Sequence, residues 1–292
     1  MCARKRTAQL LREINALPAL PAVVQRLLAV LRDPQYTADQ VTEVVRTDPA
    51  LSARVLKLAN SPAYGFARDI ETISRAVVIL GSRNLRGLVT TAGVMDAMDR
   101  MAGGVELEEL WRHAAYTATG AQVLAQHTGH PCPEEAFLAG LIHDIGELAL
   151  AVVRPREFAQ VQRLPGAQRL ETQRQQLGLS HTRAGQQLLT AWNLPEDLCS
   201  VASAHHSREA TLEPENRTLT LVALADMLSR VRGLGHEAPP AEAHARSLVE
   251  SAGLERGLTR ALLREIDLRY LETSRFLHPD RACIQAPFAA AE

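Results

Sequence analysis

The sequence predicts an all-α protein of two helical lobes with a helical appendage. Three observations carry that reading. Apolar residues recur at three- and four-residue spacing nearly throughout, convincing two-residue alternation is absent, and capping and breaking residues cut the chain into helix-sized pieces.

The first lobe is expected over residues 1–103. Val23, Val24, Leu27, Leu28 and Leu31 form one face of a helix over Ala22–Arg32, stopped by Asp33-Pro34. Thr37 and Gln40 have the spacing of a capping box and open a helix to about Arg46. Asp48-Pro49 supplies an N-cap and a first-turn proline for the next helix, which ends near Asn60-Ser61-Pro62. After a loop at Tyr64-Gly65-Phe66, one helix runs to Leu80. Gly81 ends it, and Ser82 starts another that reaches about Met101.

Gly103-Gly104 is the clearest break, so the second lobe is expected over residues 104–235. Its helices fall around Leu107–Gln126 and Pro133–Val153, then along an Arg- and Gln-rich stretch to Leu177. Ser180 is expected to cap the next, Pro195-Glu196-Asp197 opens another, and Leu219–Val231 is the last. Gly233-Leu234-Gly235 and Pro239-Pro240 read as a linker to the appendage, residues 236–292.

Composition narrows the function classes. With 292 residues, 46% hydrophobic and 22% charged, the chain can bury a sizeable core. A net charge of −1 argues against a dedicated nucleic-acid binder. No apolar run is read as reaching transmembrane length, and Met1-Cys2-Ala3-Arg4-Lys5-Arg6 leads into an amphipathic stretch; a cytoplasmic protein without a membrane partner is expected. Cys2, Cys132, Cys199 and Cys283 lack paired spacing and are expected to be reduced and structural.

Chemistry concentrates in the second lobe. His143-Asp144 sits within Phe137-Leu138-Ala139-Gly140-Leu141-Ile142 and Ile145, a segment apolar on every side. An imidazole beside a carboxylate there suits Zn, Fe or Mn, or else a buried His–Asp hydrogen bond bracing two helices. Asp226 follows Leu219, Val222 and Ala223 on the apolar face of its helix, so it needs a metal or a partner such as Arg183 or Arg230. His113 lies beside the stripe of Leu107, Leu110, Ala114 and Ala118, with Glu109 one turn earlier. His181 starts a helix and His205-His206 close one. Each of these histidines alone also reads as a cap or a satisfied core residue.

In the order His113, His143-Asp144, His181, His205-His206, Asp226, the chain resembles the HD superfamily of metal-dependent phosphohydrolases. Leu17-Pro18-Ala19-Leu20-Pro21, Thr47-Asp48-Pro49-Ala50-Leu51-Ser52, Leu56-Lys57-Leu58-Ala59-Asn60-Ser61 and Ala76-Val77-Val78-Ile79-Leu80-Gly81 narrow the resemblance to the HDOD family, HD-related output domains of bacterial signalling proteins. The likeness runs over about residues 13–230. It implies a second lobe that is an HD-like helical bundle, with His113, His143, Asp144 and Asp226 as the minimal metal set. Likeness to the HD-GYP phosphodiesterases adds His181, His205 and His206, with Glu109 as a bridge. One or two divalent ions (Fe, Mn or Zn) are thereby implied.

The resemblance implies a regulatory module working mainly through signalling protein partners, since many members do not catalyse. The alternative it leaves is a phosphohydrolase of a nucleotide or cyclic-nucleotide messenger, in which metal-bound Asp144 orients the attacking hydroxide. Many active relatives carry lysine three residues after the HD aspartate. Glu147 stands there, expected to face the phosphate with the wrong charge. The HD-GYP signature is also missing after His206, which argues against cyclic di-GMP hydrolysis.

Overall fold

The computed structural model describes residues 3–33, 35–60, 69–102, 108–162, 164, 166–234, 242–254 and 258–277. No strand occurs among them; the protein is all-α. The expected breaks at Tyr64-Gly65-Phe66, at Gly103-Gly104 and at Gly235–Pro240 lie outside the described residues.

Two compact units emerge, Pro18–Arg100 and the combination of Met1–Leu17 with Met101–Glu292. This differs from a first lobe over 1–103: residues from Met101 on go with the second unit, and so does the amino-terminal helix. It does so because α1 (Ala3–Asn15) buries Leu10 and Ile14 and is pinned from that side. Thr7 Oγ1 donates to the Gly178 carbonyl at 2.9 Å, Gln187 donates to Asn15, and Glu13 pairs with Arg154.

The unit Pro18–Arg100 contains α2 (Ala22–Arg32), α3 (Ala38–Arg46), α4 (Pro49–Ala59) and α5 (Ile73–Ala102), the last of which runs two residues past its end. Thr37 and Gln40 do form the reciprocal capping box, and Asp48 Oδ1 accepts from the Leu51 amide at 3.0 Å. Helices α2 and α3 pack together, with Val24, Leu27, Leu28 and Leu31 of the one and Val41, Val44 and Val45 of the other buried. Gly81 at φ 68° kinks α5, because a left-handed residue cannot continue a right-handed helix.

In the other unit, α6 (Glu108–His127) is the central helix, flanked by α7 (Pro133–Ile142), α13 (Arg217–Val231) and α15 (Arg260–Leu277). After α7 come α8 (Ile145–Val153), α9 (Pro155–Gln162) and α10 (Gly166–Thr172), then a π-helical turn over Gln173–Leu177. The chain continues through α11 (His181–Ala191) and α12 (Glu196–Ala204) to α13, and through α14 (Glu242–Ser251) to α15. The described part of the appendage is two helices. Tyr116 on α6 donates to Asp267 on α15 at 2.9 Å, and Arg232 pairs with the same carboxylate at 2.7 Å. Helix α15 thus packs onto α6.

By length and composition Pro133–Val153 could cross a membrane, but 78% of its most apolar window is buried inside the protein. Its apolarity serves the core. Cys132 and Cys199 are buried free thiols; Cys2 and Cys283 lie outside the described residues.

Candidate metal centre

The helix expected over Pro133–Val153 is interrupted at its most informative point. Helix α7 ends at Ile142 and α8 starts at Ile145, with Asp144 at φ −103°, ψ 18° between them. Neighbouring side chains on an unbroken helix diverge by about 100°. At this turn His143 Nε2 and Asp144 Oδ2 nevertheless lie 3.5 Å apart.

Two glycines let the other helices come close enough. A Cβ at Gly140 would sit 2.8 Å from the Ala118 backbone, so its absence lets α7 lie against α6 and brings His143 to His113. A Cβ at Gly146 would sit 1.9 Å from the His181 carbonyl oxygen. That contact of α8 with α11 carries His181 to Asp144.

All seven residues singled out in the sequence meet. Asp144 Oδ2 faces His113 Nε2 at 3.4 Å and His143 Nε2 at 3.5 Å. Asp144 Oδ1 faces His205 Nε2 at 3.1 Å and His181 Nε2 at 3.4 Å. Asp226 Oδ1 is 3.3 Å from His113 Nε2 and 4.0 Å from His143 Nε2, and His206 Nε2 is 3.1 Å from His181 Nε2. Two groups share Asp144: His113, His143 and Asp144 on one side, and Asp144, His181, His205 and His206 on the other. Either could hold a metal ion. Glu109 is exposed at the start of α6 and belongs to neither.

The outer nitrogen of four rings fixes which way the lone pairs point. His143 Nδ1 is 2.7 Å from the Gly140 carbonyl, and His205 Nδ1 is 3.1 Å from the Val201 and Ala202 carbonyls. A carbonyl only accepts, so both nitrogens carry the proton. His113 Nδ1 lies 2.9 Å from Ser229 Oγ, whose own proton goes to the Asp226 carbonyl at 2.7 Å. His181 Nδ1 lies 2.9 Å from Gln173 Oε1 and 3.0 Å from Glu147 Oε1. In their neutral forms all four rings therefore turn bare Nε2 atoms inward, as metal-ligating histidines do.

Facing lone pairs repel unless a positive charge stands between them. His113 Nε2 and His143 Nε2 are 3.1 Å apart, as are His181 and His206. Asp144 Oδ1 and His205 Nε2, both buried, make no hydrogen bond despite their proximity. A donor set of imidazole nitrogens and carboxylate oxygens with such orphaned atoms fits a divalent cation.

Burial and the two carboxylates set how readily each ring takes a proton. Burial pulls His143 down to about 4. Burial also opposes a charge on His113, but Asp144 and Asp226 outweigh it and hold that ring up at about 9. His206 is depressed well below its ordinary value by burial and by His205 and His181. Burial would raise the Asp144 carboxyl, yet the surrounding imidazoles keep it well below its usual range.

Asp226 has a partner besides the histidines. Arg230 donates through Nε to Oδ1 at 2.9 Å and through its terminal nitrogen to Oδ2, holding the carboxyl far below its ordinary value against burial. Of the two arginines considered from sequence, Arg230 is the one that pairs; Arg183 is exposed and reaches Gln186. Asp226 therefore meets the histidines with Oδ1 alone.

Two sequence expectations need correction. Ser180 precedes α11 without capping it through its side chain, bonding Thr182 instead. Glu147 does not turn out toward an incoming phosphate. It is buried, with Oε1 against His181 and accepting from Gln173, and Arg169 is 3.9 Å away. Burial would raise its carboxyl, but His181 holds it below the usual range. Ser229, Gln173 and Arg169 escaped the sequence reading. Ser229 could have been found three residues after Asp226, whereas Gln173 and Arg169 leave no local signal.

Residues 17–208 match the profile of the HDOD domain. The chain belongs to the HDOD family. An HDOD domain protein of unknown function from Geobacter sulfurreducens superposes with a TM-score of 0.71 at 28% identity, covering 94% of this chain and 98% of that one. A candidate phosphohydrolase from Shewanella amazonensis gives 0.70 at 27% identity, covering 93% and 98%. Such coverage extends past residue 208, so helices of the appendage are part of an architecture shared with these HDOD-like structures. An uncharacterized protein of Treponema pallidum is 27% identical over 244 residues, 80% of this chain and 46% of that protein. The chain spans less than half the length of the curated relatives it matches.

Proposed function

We propose that this HDOD protein is a regulatory signalling module that acts through protein contacts, with a metal centre that holds its HD-like bundle in one conformation. The observation that carries this reading is the inward convergence of four Nε2 lone pairs on both oxygens of Asp144, inside a mostly buried site. Asp144, with one oxygen toward each group, would bridge two ions. His113, His143 and Asp226 would complete one site, and His181, His205 and His206 the other. Zn, Fe and Mn all accept this donor set. Binding free energy at such a site adds to folding free energy, so the ions would act as internal staples.

Regulation is favoured over turnover by what surrounds the centre. Glu147 faces inward and stands where many active HD relatives have a lysine. Arg230 engages both oxygens of Asp226. The partners proposed are signalling proteins.

One observation supports a second reading. The Asp144 side chain keeps 17% of its surface exposed and His206 is half-buried, so solvent reaches one edge of the centre. A phosphohydrolase of a nucleotide or cyclic nucleotide would need such an edge for a water and a phosphoryl oxygen. When bound, the ions would supply Lewis acidity; Asp144 and His206 would orient the incoming group.

The test pairs two measurements on the full chain. Removing metal with a chelator is expected to lower the melting temperature while a model phosphodiester stays intact with or without added Mn. Metal-dependent turnover that Asp144→Ala abolishes would replace the regulatory reading with the hydrolytic one. A melting temperature indifferent to chelation would refute the structural role of the ions.

A further inference from the structure

The four inward-facing rings are not held alike. His113 leans on a hydroxyl, and His143 and His205 on backbone carbonyls. Among the described residues, His181 alone of the four has a carboxylate beside its Nδ1. That carboxylate belongs to Glu147.

The arrangement is specific in its bonding. His181 is the first residue of α11, and its amide is one of those a helix start leaves without an internal partner. Gln173 Oε1 accepts this amide at 2.8 Å and also stands 2.9 Å from Nδ1 of the same residue. The amide nitrogen of Gln173 donates to Glu147 Oε1 at 3.0 Å. Gln173 therefore does the capping that Ser180 does not. It reaches inward from the first residue of the π-helical turn, a local widening of the kind often found at functional sites. Glu147, Arg169, Gln173 and His181 are all buried. Arg169 offsets the carboxylate, and Glu147 Oε2 has no hydrogen-bond partner.

We infer that Glu147 is a positioning residue: with Gln173 it fixes His181 as the Nδ1–H tautomer and aims its bare Nε2 at the His205 and His206 side of the centre. The two halves then differ in strength, the ion on the His181, His205 and His206 side being held more tightly. A carboxylate behind a ligating imidazole raises its basicity, and losing such an outer partner typically costs about 10–100-fold in metal affinity. This inference rests on the metal reading, apart from the tautomer, which belongs to the protein alone.

The experiment uses chelated full-length protein, Glu147→Gln and Gln173→Leu. The first keeps the volume of the side chain and removes its charge; the second removes the cap and the acceptor. Titration with Co²⁺, followed through its visible bands, reads the two sites, and long-range ¹⁵N spectra of the imidazoles read the tautomers before metal is added. Expected for wild type are two unequal affinities and a His181 ring protonated at Nδ1. Glu147→Gln should weaken the tighter site about tenfold or more and leave the weaker one in place. Gln173→Leu should weaken the same site and mix the His181 tautomers. Equal weakening of both sites, unchanged affinities in both variants, or a wild-type His181 protonated at Nε2 would overturn the inference. Wild type that takes up no Co²⁺ would overturn the metal reading instead, while the tautomer spectra of that sample still judge the hold of Glu147 on His181.

Discussion

At the scale of single residues, the centre works by orientation more than by burial. Ser229 is the clearest case: its hydroxyl receives the His113 Nδ1 proton because its own proton is already given to the Asp226 carbonyl. Ser229→Ala should leave the fold intact and weaken metal retention about tenfold, read by competition with a colorimetric chelator. Protonation gives a second prediction, for chelated protein. His143, depressed from 6.5 to about 4, binds its proton more readily when unfolded, so it costs stability as pH falls through that window. His113, raised from 6.5 to about 9, binds its proton more readily when folded, so its contribution is complete below 6.5 and is lost as pH rises through 9. Melting temperature of the chelated protein should therefore peak near neutrality and fall on both sides. His113→Gln should remove the alkaline decline; a decline that persists would assign it elsewhere.

Among the elements, the decisive one is the turn between α7 and α8, with the two glycines beside it. Gly146→Ala forces a methyl group into the His181 carbonyl, and backbone cannot rotate away as a side chain would. Overpacking of this kind costs about 1–3 kcal/mol, and the variant should melt lower and lose metal together. Gly233→Ala, where nothing stands near a Cβ but φ is 71°, should cost stability without touching the metal.

The same scale explains what could be read from the chain beforehand. Thr37 with Gln40, Asp48 before Pro49, and Gly81 announce their helix ends because caps and left-handed turns are local events. The positions of His113, His143, Asp144, His181, His205, His206 and Asp226 on helix faces were legible too, and all seven do converge. The turn at Asp144 was not legible, because apolar periodicity runs through it without a proline. Nor was the inward swing of Glu147, whose partners Gln173 and Arg169 arrive from 26 and 22 residues away, Gln173 from a π-turn that no spacing rule encodes.

For the whole molecule, the first and the last described helices, α1 and α15, are part of the bundle. Helix α1 docks through Thr7, Glu13 and Asn15, and α15 through the part-buried triad of Tyr116, Arg232 and Asp267. Neither docking has a signal in local sequence, since each joins residues more than 30 positions apart. Burial, then Asp267, raise the Tyr116 hydroxyl above its ordinary value. Removing Asp267 leaves the Arg232 guanidinium and the Tyr116 hydroxyl without their shared acceptor, so Asp267→Ala should destabilise the unit by about 1–3 kcal/mol, seen as a lower urea midpoint. The variant should keep its metal, because the triad contains none of the seven residues of the centre.

The central claim is that seven side chains, on α6, α11 and α13, in the α7–α8 turn and just after α12, form a divalent-ion centre. Elemental analysis of the full chain, purified without chelator, tests it most directly. The account predicts close to two equivalents of Zn, Fe or Mn per chain, falling to background in the His143→Ala, Asp144→Ala double variant while the helical circular dichroism remains. Wild-type protein that purifies without metal and takes up none when Zn, Fe or Mn is supplied would contradict it.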